Sequence, residues 1–350
     1  MLRFFRFIRQ KLLSENKFSK YVIYAVGEIL LVIIGILIAL QINNRAELRK
    51  TEAKIDKLFE NVLEELDAGI ESTTELGMDY FVFDSLQYII DDQTIEDYKD
   101  PNKTFLFSLT TRINSVQLNQ DAFDNLMANR DDIPTKYEEV TKKLIQLYEA
   151  KSTVDTYDEK MDQLVYKTLT ERSENYEWFA FADSTHLDAM ADYLLNDFRY
   201  KNEVVNYRIY GIFNQLYIAM RFRIGSFQLY EEIAELLGKS TQPDSYRVDE
   251  NTSHLFEGDW ININKEDPSQ LSFYTKNDRL YVKSTDPEEN SEVNDEIIIL
   301  GNRDNDFRVL SPNFAYRQLT YAYHSFNQDT MSIYFNERQE KMLFVRGNNP

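Results

Sequence analysis

Three regimes of hydrophobic patterning follow one another along the chain. Residues 21–42 (YVIYAVGEILLVIIGILIALQI) are apolar at nearly every position, Glu28 and Gln41 being the polar exceptions. At 1.5 Å per residue such a helix covers about 33 Å, enough for a hydrocarbon core of about 30 Å. Tyr21 and Tyr24 stand at one end, where aromatic rings favour the headgroup layer, and Gln41, Asn43 and Asn44 mark the other exit. A buried core helix would be shorter and less uniformly apolar, so the pattern predicts a transmembrane helix.

From about residue 46 to 239 the period is helical. Ile55, Leu58, Phe59, Val62, Leu63, Leu66 and Ile70 recur at three- and four-residue spacing. Helices are expected over 46–91, 118–129, 135–171 and 186–238, the last ending at Gly238. Its stripe is aromatic: Phe198, Tyr207, Tyr210, Phe213, Tyr217, Phe222, Phe227 and Tyr230. Helical spacing makes that stripe a core face first and a partner groove or apolar pocket second. The STQPDS stretch, 240–245, reads as a linker, and after it the period drops to two. Strands are expected at 256–263, 270–275, 279–285, 295–300, 306–311, 314–323, 330–336 and 341–346, with turns at Lys276-Asn277-Asp278, Gly301-Asn302 and Ser311-Pro312-Asn313. The expected fold is a membrane-anchored α+β chain. It has a basic interfacial segment (1–20), a transmembrane helix (21–42), an antiparallel helical bundle (43–239) and a C-terminal antiparallel β-barrel or curved meander (246–350).

Charge around the apolar run sets the expected topology. Residues 1–13 form a basic amphipathic pattern, with Phe4, Phe5, Ile8 and Leu12 on one arc and Arg3, Arg6 and Arg9 on the other, suited to anionic lipid headgroups. Ser14-Glu15-Asn16 breaks it. With Lys11, Lys17 and Lys20 the cluster predicts a cytoplasmic N-terminus, the C-terminal domains outside, and an uncleaved signal anchor rather than a signal peptide. Glu28 is the one carboxylate inside the run. Gly35 and Ala39 follow at i+7 and i+11 on the same side, a small-xxx-small spacing that admits a second helix. Membrane helix association is the first reading of Glu28, Gly35 and Ala39. A proton-linked role in a membrane complex and a headgroup-level position of Glu28 are the others.

The run KLLSENKFSKYVIYAVGEILLVIIGILIALQINN resembles the N-terminal signature of an uncharacterised family of single-span membrane proteins of Bacteroidota; the match covers roughly residues 1–50. Arg45 departs from that family's pattern after the paired asparagines. The resemblance implies a Gram-negative envelope protein with one membrane span and carries no activity with it. Farther on, Gly258-Asp259-Trp260 resembles the Gly-x-Trp opening strand of lipocalin-like barrels. That resemblance implies an arginine from the last strand over the Trp260 ring, a role Arg346 is placed to take, and closure of the barrel by Gly258, Trp260 and Arg346.

Composition narrows the function classes. The net charge of −20 argues against nucleic acid as a partner, because phosphate binding needs a basic face. Mean hydropathy of −0.50 excludes a polytopic membrane protein. Cysteine is absent, so neither a disulfide framework nor a thiolate site is available. His186, His254 and His324 have no metal-ligand spacing, and the acids near His186 (Asp188, Asp192) suit a helix N-terminus. No G-x-S-x-G, Walker A or G-x-G-x-x-G motif occurs. No catalytic, metal or cofactor site is therefore expected. The expected role is non-enzymatic binding in the envelope, with membrane lipid and a protein partner or a second copy as partners. Two alternatives are a lipocalin-like carrier or sensor of an apolar molecule, which needs a cavity of some 300 Å3 or more, and an accessory subunit of a membrane complex using Glu28.

Overall fold

The computed structural model describes residues 18–81, 93–99, 106, 108–180, 184–264, 269–286, 291–313, 318–335 and 340–347. The chain divides into two compact units, residues 1–58 with 129–134, and residues 59–128 with 135–350. The first unit carries most of α1 (Phe18–Phe81), which runs for 64 residues without a break. Asn43 and Asn44, expected to mark the exit of the span, lie within this helix. The Asn43 amide bonds the Glu47 carboxylate one turn on, at 3.2 Å, and leaves the backbone ladder intact. In the same unit Lys54 donates to Asn129 at 2.6 Å and lies 3.6 Å from Asp132.

The second unit holds the remaining helices: α2 (Ile95–Lys99), α3 (Asp121–Met127), α4 (Glu138–Asn175), α5 (Ser184–Asn196), α6 (Phe198–Tyr207) and α7 (Tyr217–Leu237), with a π-helical segment, Arg208–Leu216, joining α6 to α7. The long helix expected over 186–238 is thus in four pieces. Asp197 makes the first break: its side chain accepts the Arg199 N–H at 2.8 Å and starts α6 as an N-cap. Helices α4 and α7 are antiparallel, since Lys143 meets Glu232 (2.7 Å) at one end and Asp158 meets Gln215 (2.6 Å), just before α7, at the other. Glu65 of α1 caps α3, accepting the N–H groups of Ala122 (2.8 Å) and Phe123 (3.2 Å). The aromatic stripe divides: Tyr207, Phe222 and Phe227 are buried, whereas Phe198, Tyr210 and Phe213 are exposed.

Eight antiparallel strands close into an up-and-down barrel: β1 (Gly258–Asn262), β2 (Gln270–Lys276), β3 (Arg279–Asp286), β4 (Ser291–Arg303), β5 (Asp306–Asn313), β6 (Gln318–Asn327), β7 (Thr330–Phe335) and β8 (Glu340–Arg346). Pairing of β1 with β8 removes both edges. Three details differ from the sequence reading. Leu255 and Phe256 end a short helix, α8 (Glu250–Phe256), rather than opening a strand, because Asp249 accepts the Thr252 N–H at 3.0 Å and caps it. Gly301 marks a β-bulge inside β4, and the turn falls at Asp304, with φ +55°. Pro312 pairs with Leu319 within β5 and β6, so the strand runs on to Asn313. The turn at Asn277-Asp278 lies where expected, both residues being left-handed (φ +50° and +53°).

Helices and barrel belong to one compact unit. The 240–245 stretch, read as a linker, is tied to α1: Asp67 accepts the N–H groups of Asp244 (3.3 Å) and Ser245 (3.1 Å). The outer wall of the barrel meets α1 as well. The Tyr321 hydroxyl donates to the Gly77 carbonyl at 3.0 Å, and the Phe81 ring stands edge-on to Tyr321 and Tyr323. A sequence pattern marks where the period changes, not whether the two parts share a core.

Candidate functional site

Three regions carry the side chains singled out by the sequence or by their burial. The first is the apolar part of α1. It is long and apolar enough to cross a membrane, with a mean hydropathy of 2.6 over its best window and no residue of that window buried. Glu28 is half-buried, and Ala39 is exposed. A Cβ added at Gly35 would meet nothing within 4 Å. Arg3, Arg6, Arg9 and the rest of the basic segment to residue 17 lie outside the described residues, as does the Ser14-Glu15-Asn16 break.

The second region is the closed end of the barrel, and here Gly258, Trp260 and Arg346 come together. Trp260 is fully buried and pairs in register with Arg346, whose guanidinium lies 4.5 Å from the indole centroid. Arg346 also donates to the carbonyls of Glu257 (2.7 Å) and Leu255 (3.0 Å), at the C-terminal end of α8, where a cation suits the helix dipole. The indole N–H donates to the Phe256 carbonyl at 2.7 Å. Gly258 is needed for its backbone: a φ of +117° is open to glycine. Phe256 projects from α8 into the barrel end and packs on Phe273, Phe307, His324 and Phe326, with ring centroids 4.6–5.5 Å away. This end is filled.

Toward the other end the lumen changes character. Alternation along the strands aims Leu271, Val282, Ser284, Asp295, Ser311, Asn313 and Thr320 inward, and all are half-buried rather than buried. The Asn313 amide donates to Asp295 at 3.1 Å. Burial pushes the Asp295 carboxyl above its ordinary range, and the Asn313 bond only partly offsets this. Deeper in, burial pushes the His324 imidazole down to about 3, so it is neutral, and its Nδ1 has no hydrogen-bond partner among the described residues.

The third region joins helices to barrel. Arg223 of α7 is fully buried and donates to Glu296 of β4 at 2.8 Å and to the Thr74 hydroxyl at 3.1 Å. Arg279 of β3 grips the same carboxylate at 2.7 and 3.2 Å. Burial alone would push Glu296 up, but the two guanidiniums outweigh it and hold it below its usual range. Tyr246 lies under Arg223 at 4.5 Å, and Phe227 under Arg279 at 4.0 Å. Beside this joint a cavity of about 280 Å3 is lined by Tyr246, Val248, Ile299 and Leu300 among others. Farther along the helices, Tyr80 donates to Gln215, which donates to Asp158 (2.6 Å) and to the Asn114 carbonyl (2.7 Å). Gly211 of the π-helical segment lets the Tyr80 ring approach, since a Cβ there would fall 2.6 Å from its hydroxyl. Burial pushes Asp158 up to about 6, against hydrogen bonds from Gln215 and the Val116 N–H.

Among the described residues no group of three His, Asp or Glu side chains is placed to hold a metal ion, and His186 stands half-buried on α5. No family model, curated protein or solved structure matches this chain. Sequence reasoning missed Arg223, Arg279, Glu296, Asp295 and Asp158. Asp295 and Glu296 are neighbours in sequence and face opposite sides of β4.

Proposed function

We propose that this is a membrane-tethered, non-catalytic binding protein whose barrel lumen receives a small ligand. The observation that supports it best is the asymmetry of the barrel, which is packed with aromatic rings at the α8 end and lined by half-exposed polar and apolar side chains toward the other. A scaffold barrel would be filled throughout. The α1 span is the tether, inserted with its N-terminus cytoplasmic and both the helical body and the barrel periplasmic, as in the envelope proteins its first fifty residues resemble. The face of Glu28, Gly35 and Ala39 is where a second helix, from another copy or a partner, packs in the bilayer.

Native mass spectrometry of the full-length chain released from its own membranes tests the binding claim. A small-molecule adduct is expected, lost in Ser311→Phe, whose ring would fill the lumen. A chain that carries no adduct, or one that Ser311→Phe retains, refutes the lumen reading. Alkaline phosphatase fused after Pro350 should be active; an inactive fusion, with a cytoplasmic reporter active in its place, reverses the topology.

A further inference from the structure

Two adjacent carboxylates on β4 have opposite fates. Glu296 faces the helices and is matched by two guanidiniums. Asp295 faces the lumen, in register with Val282, and among the described residues no guanidinium or ammonium matches it. Its hydrogen-bond partner among the described residues is the Asn313 amide, which orients it without neutralising it. Among the described residues the arginine that alternation aims into the lumen, Arg346, is engaged at the closed end with Trp260 and the α8 carbonyls. A half-buried carboxylate with no cation beside it among the described residues is disfavoured in proportion to its burial, and a cation would relieve that cost. Deeper in the same lumen His324 Nδ1, on a side chain that is 5% exposed, has no hydrogen-bond partner among the described residues. Around Asp295 the lumen offers hydroxyls from Ser284, Ser311 and Thr320 and apolar surface from Leu271 and Val282.

We propose that the lumen takes a small amphiphile bearing a protonated amine, with Asp295 as its anchor. The ammonium supplies the missing charge partner, and the short apolar part lies along Leu271 and Val282. This rests on the reading of the barrel as a binding module and goes on to name the ligand class. An anion would meet the Asp295 charge, and a neutral chain of the same size would forgo the ion pair.

The test compares three water-soluble probes of one chain length, hexylammonium, hexanol and hexanoate, titrated calorimetrically at pH 7 into the full-length chain in nanodiscs. Hexylammonium should bind at least tenfold more tightly than hexanol, and hexanoate least tightly. Asp295→Asn should bring hexylammonium to within twofold of hexanol while hexanol binding is unchanged, which shows that the lumen itself is intact. Equal binding of the three by the wild type, or an ammonium preference that survives Asp295→Asn, overturns the anchor and leaves the lumen reading standing. Binding of none of the three removes both.

Discussion

The apolar part of α1 and the body of helices and barrel are built inside out relative to one another. Along the span Leu31, Ile36 and Leu37 are 58–65% exposed, in a stretch with no buried residue at its most apolar window. In the body Arg223 is 0% exposed and Glu296 5%. In water, each side chain of the first kind would forgo about 1.5–3 kcal/mol of burial, whereas in a bilayer it is at home. The backbone obeys one rule in both places, closing its hydrogen bonds within the helix or around the barrel. Side chains of the apolar stretch would suit a surrounding that supplies no hydrogen bonds. In the body even full charges are buried, provided their partners are buried with them. What distinguishes the regions is therefore where the polar partners reside.

Breaking the body should have the largest effect. Glu296→Leu leaves Arg223 and Arg279 buried side by side without their carboxylate, and should cost about 3–5 kcal/mol of unfolding free energy in a denaturant titration. Arg223→Met should cost less, because Arg279 still pairs Glu296. Replacing all three by Met, Leu and Leu should recover most of the loss. Equal losses from the two single variants would show that the charges are not what holds the joint. The mirror experiment places a charge in the span. Ile34→Arg sits near its middle and should oppose insertion by about 2.5–3.5 kcal/mol, read as protein extracted by alkaline carbonate. If that variant stays in the membrane like the wild type, the segment does not lie in hydrocarbon.

How much of this was legible in the sequence follows from the range over which each feature acts. The apolar run, the helical periods and the alternation of the barrel strands are local, and they place α4, the end of α7 and most of β1–β8 to within a few residues. The closed end was legible because Gly258 and Trp260 form a short motif and one arginine, Arg346, stands near the end of the last strand. The joint was not, because Arg223 and Glu296 are 73 residues apart and each looks like an ordinary charge in its own neighbourhood. The breaks in the long helix depend on Asp197, read as one more helix residue, and on the Tyr80 ring pressing on Gly211, a contact made across the fold. Neighbouring Asp295 and Glu296 could be told apart only once register fixed which face was lumen.

A smaller effect sharpens the contrast within the body. Among the described residues Arg346 has no carboxylate partner: it lies on an indole ring and donates to carbonyls at a helix end that is partly open to water. Arg346→Met keeps the length of the side chain and loses the charge. The stacking contributes about 1 kcal/mol, and the carbonyls can take water in its place. The thermal midpoint should therefore fall modestly, far less than for Glu296→Leu. A collapse comparable to that of Glu296→Leu would place this arginine with the buried ion cluster.

The smallest effect is a pH dependence in which two carboxylates of the body act with opposite sign. Burial raises Asp158 to about 6. The folded chain then takes up that proton more readily than the unfolded chain, whose aspartate titrates near 4. Its contribution to stability is fully present below about pH 4 and is lost as the pH rises through about 6. Glu296, held low by Arg223 and Arg279, works the other way: its contribution is present above the ordinary glutamate range and is lost as the pH falls through its lowered folded value. The windows adjoin, so the wild type alone mixes them, and the difference between wild type and Asp158→Asn isolates one. Asparagine cannot ionise, so between pH 4 and 6 its stability should decline less steeply with pH than that of the wild type. Part of the Asp158 side chain meets solvent, which screens the effect, and the accumulated difference across the window should be about 1 kcal/mol or less. The slope is the safer readout than the absolute stability, because asparagine also turns one acceptor of the Gln215 and Val116 bonds into a donor, a loss that does not vary with pH. If the two curves run parallel from pH 4 to 6, Asp158 titrates as an ordinary surface acid, and the polar cluster around Gln215 and Tyr80 is wetter than its packing implies.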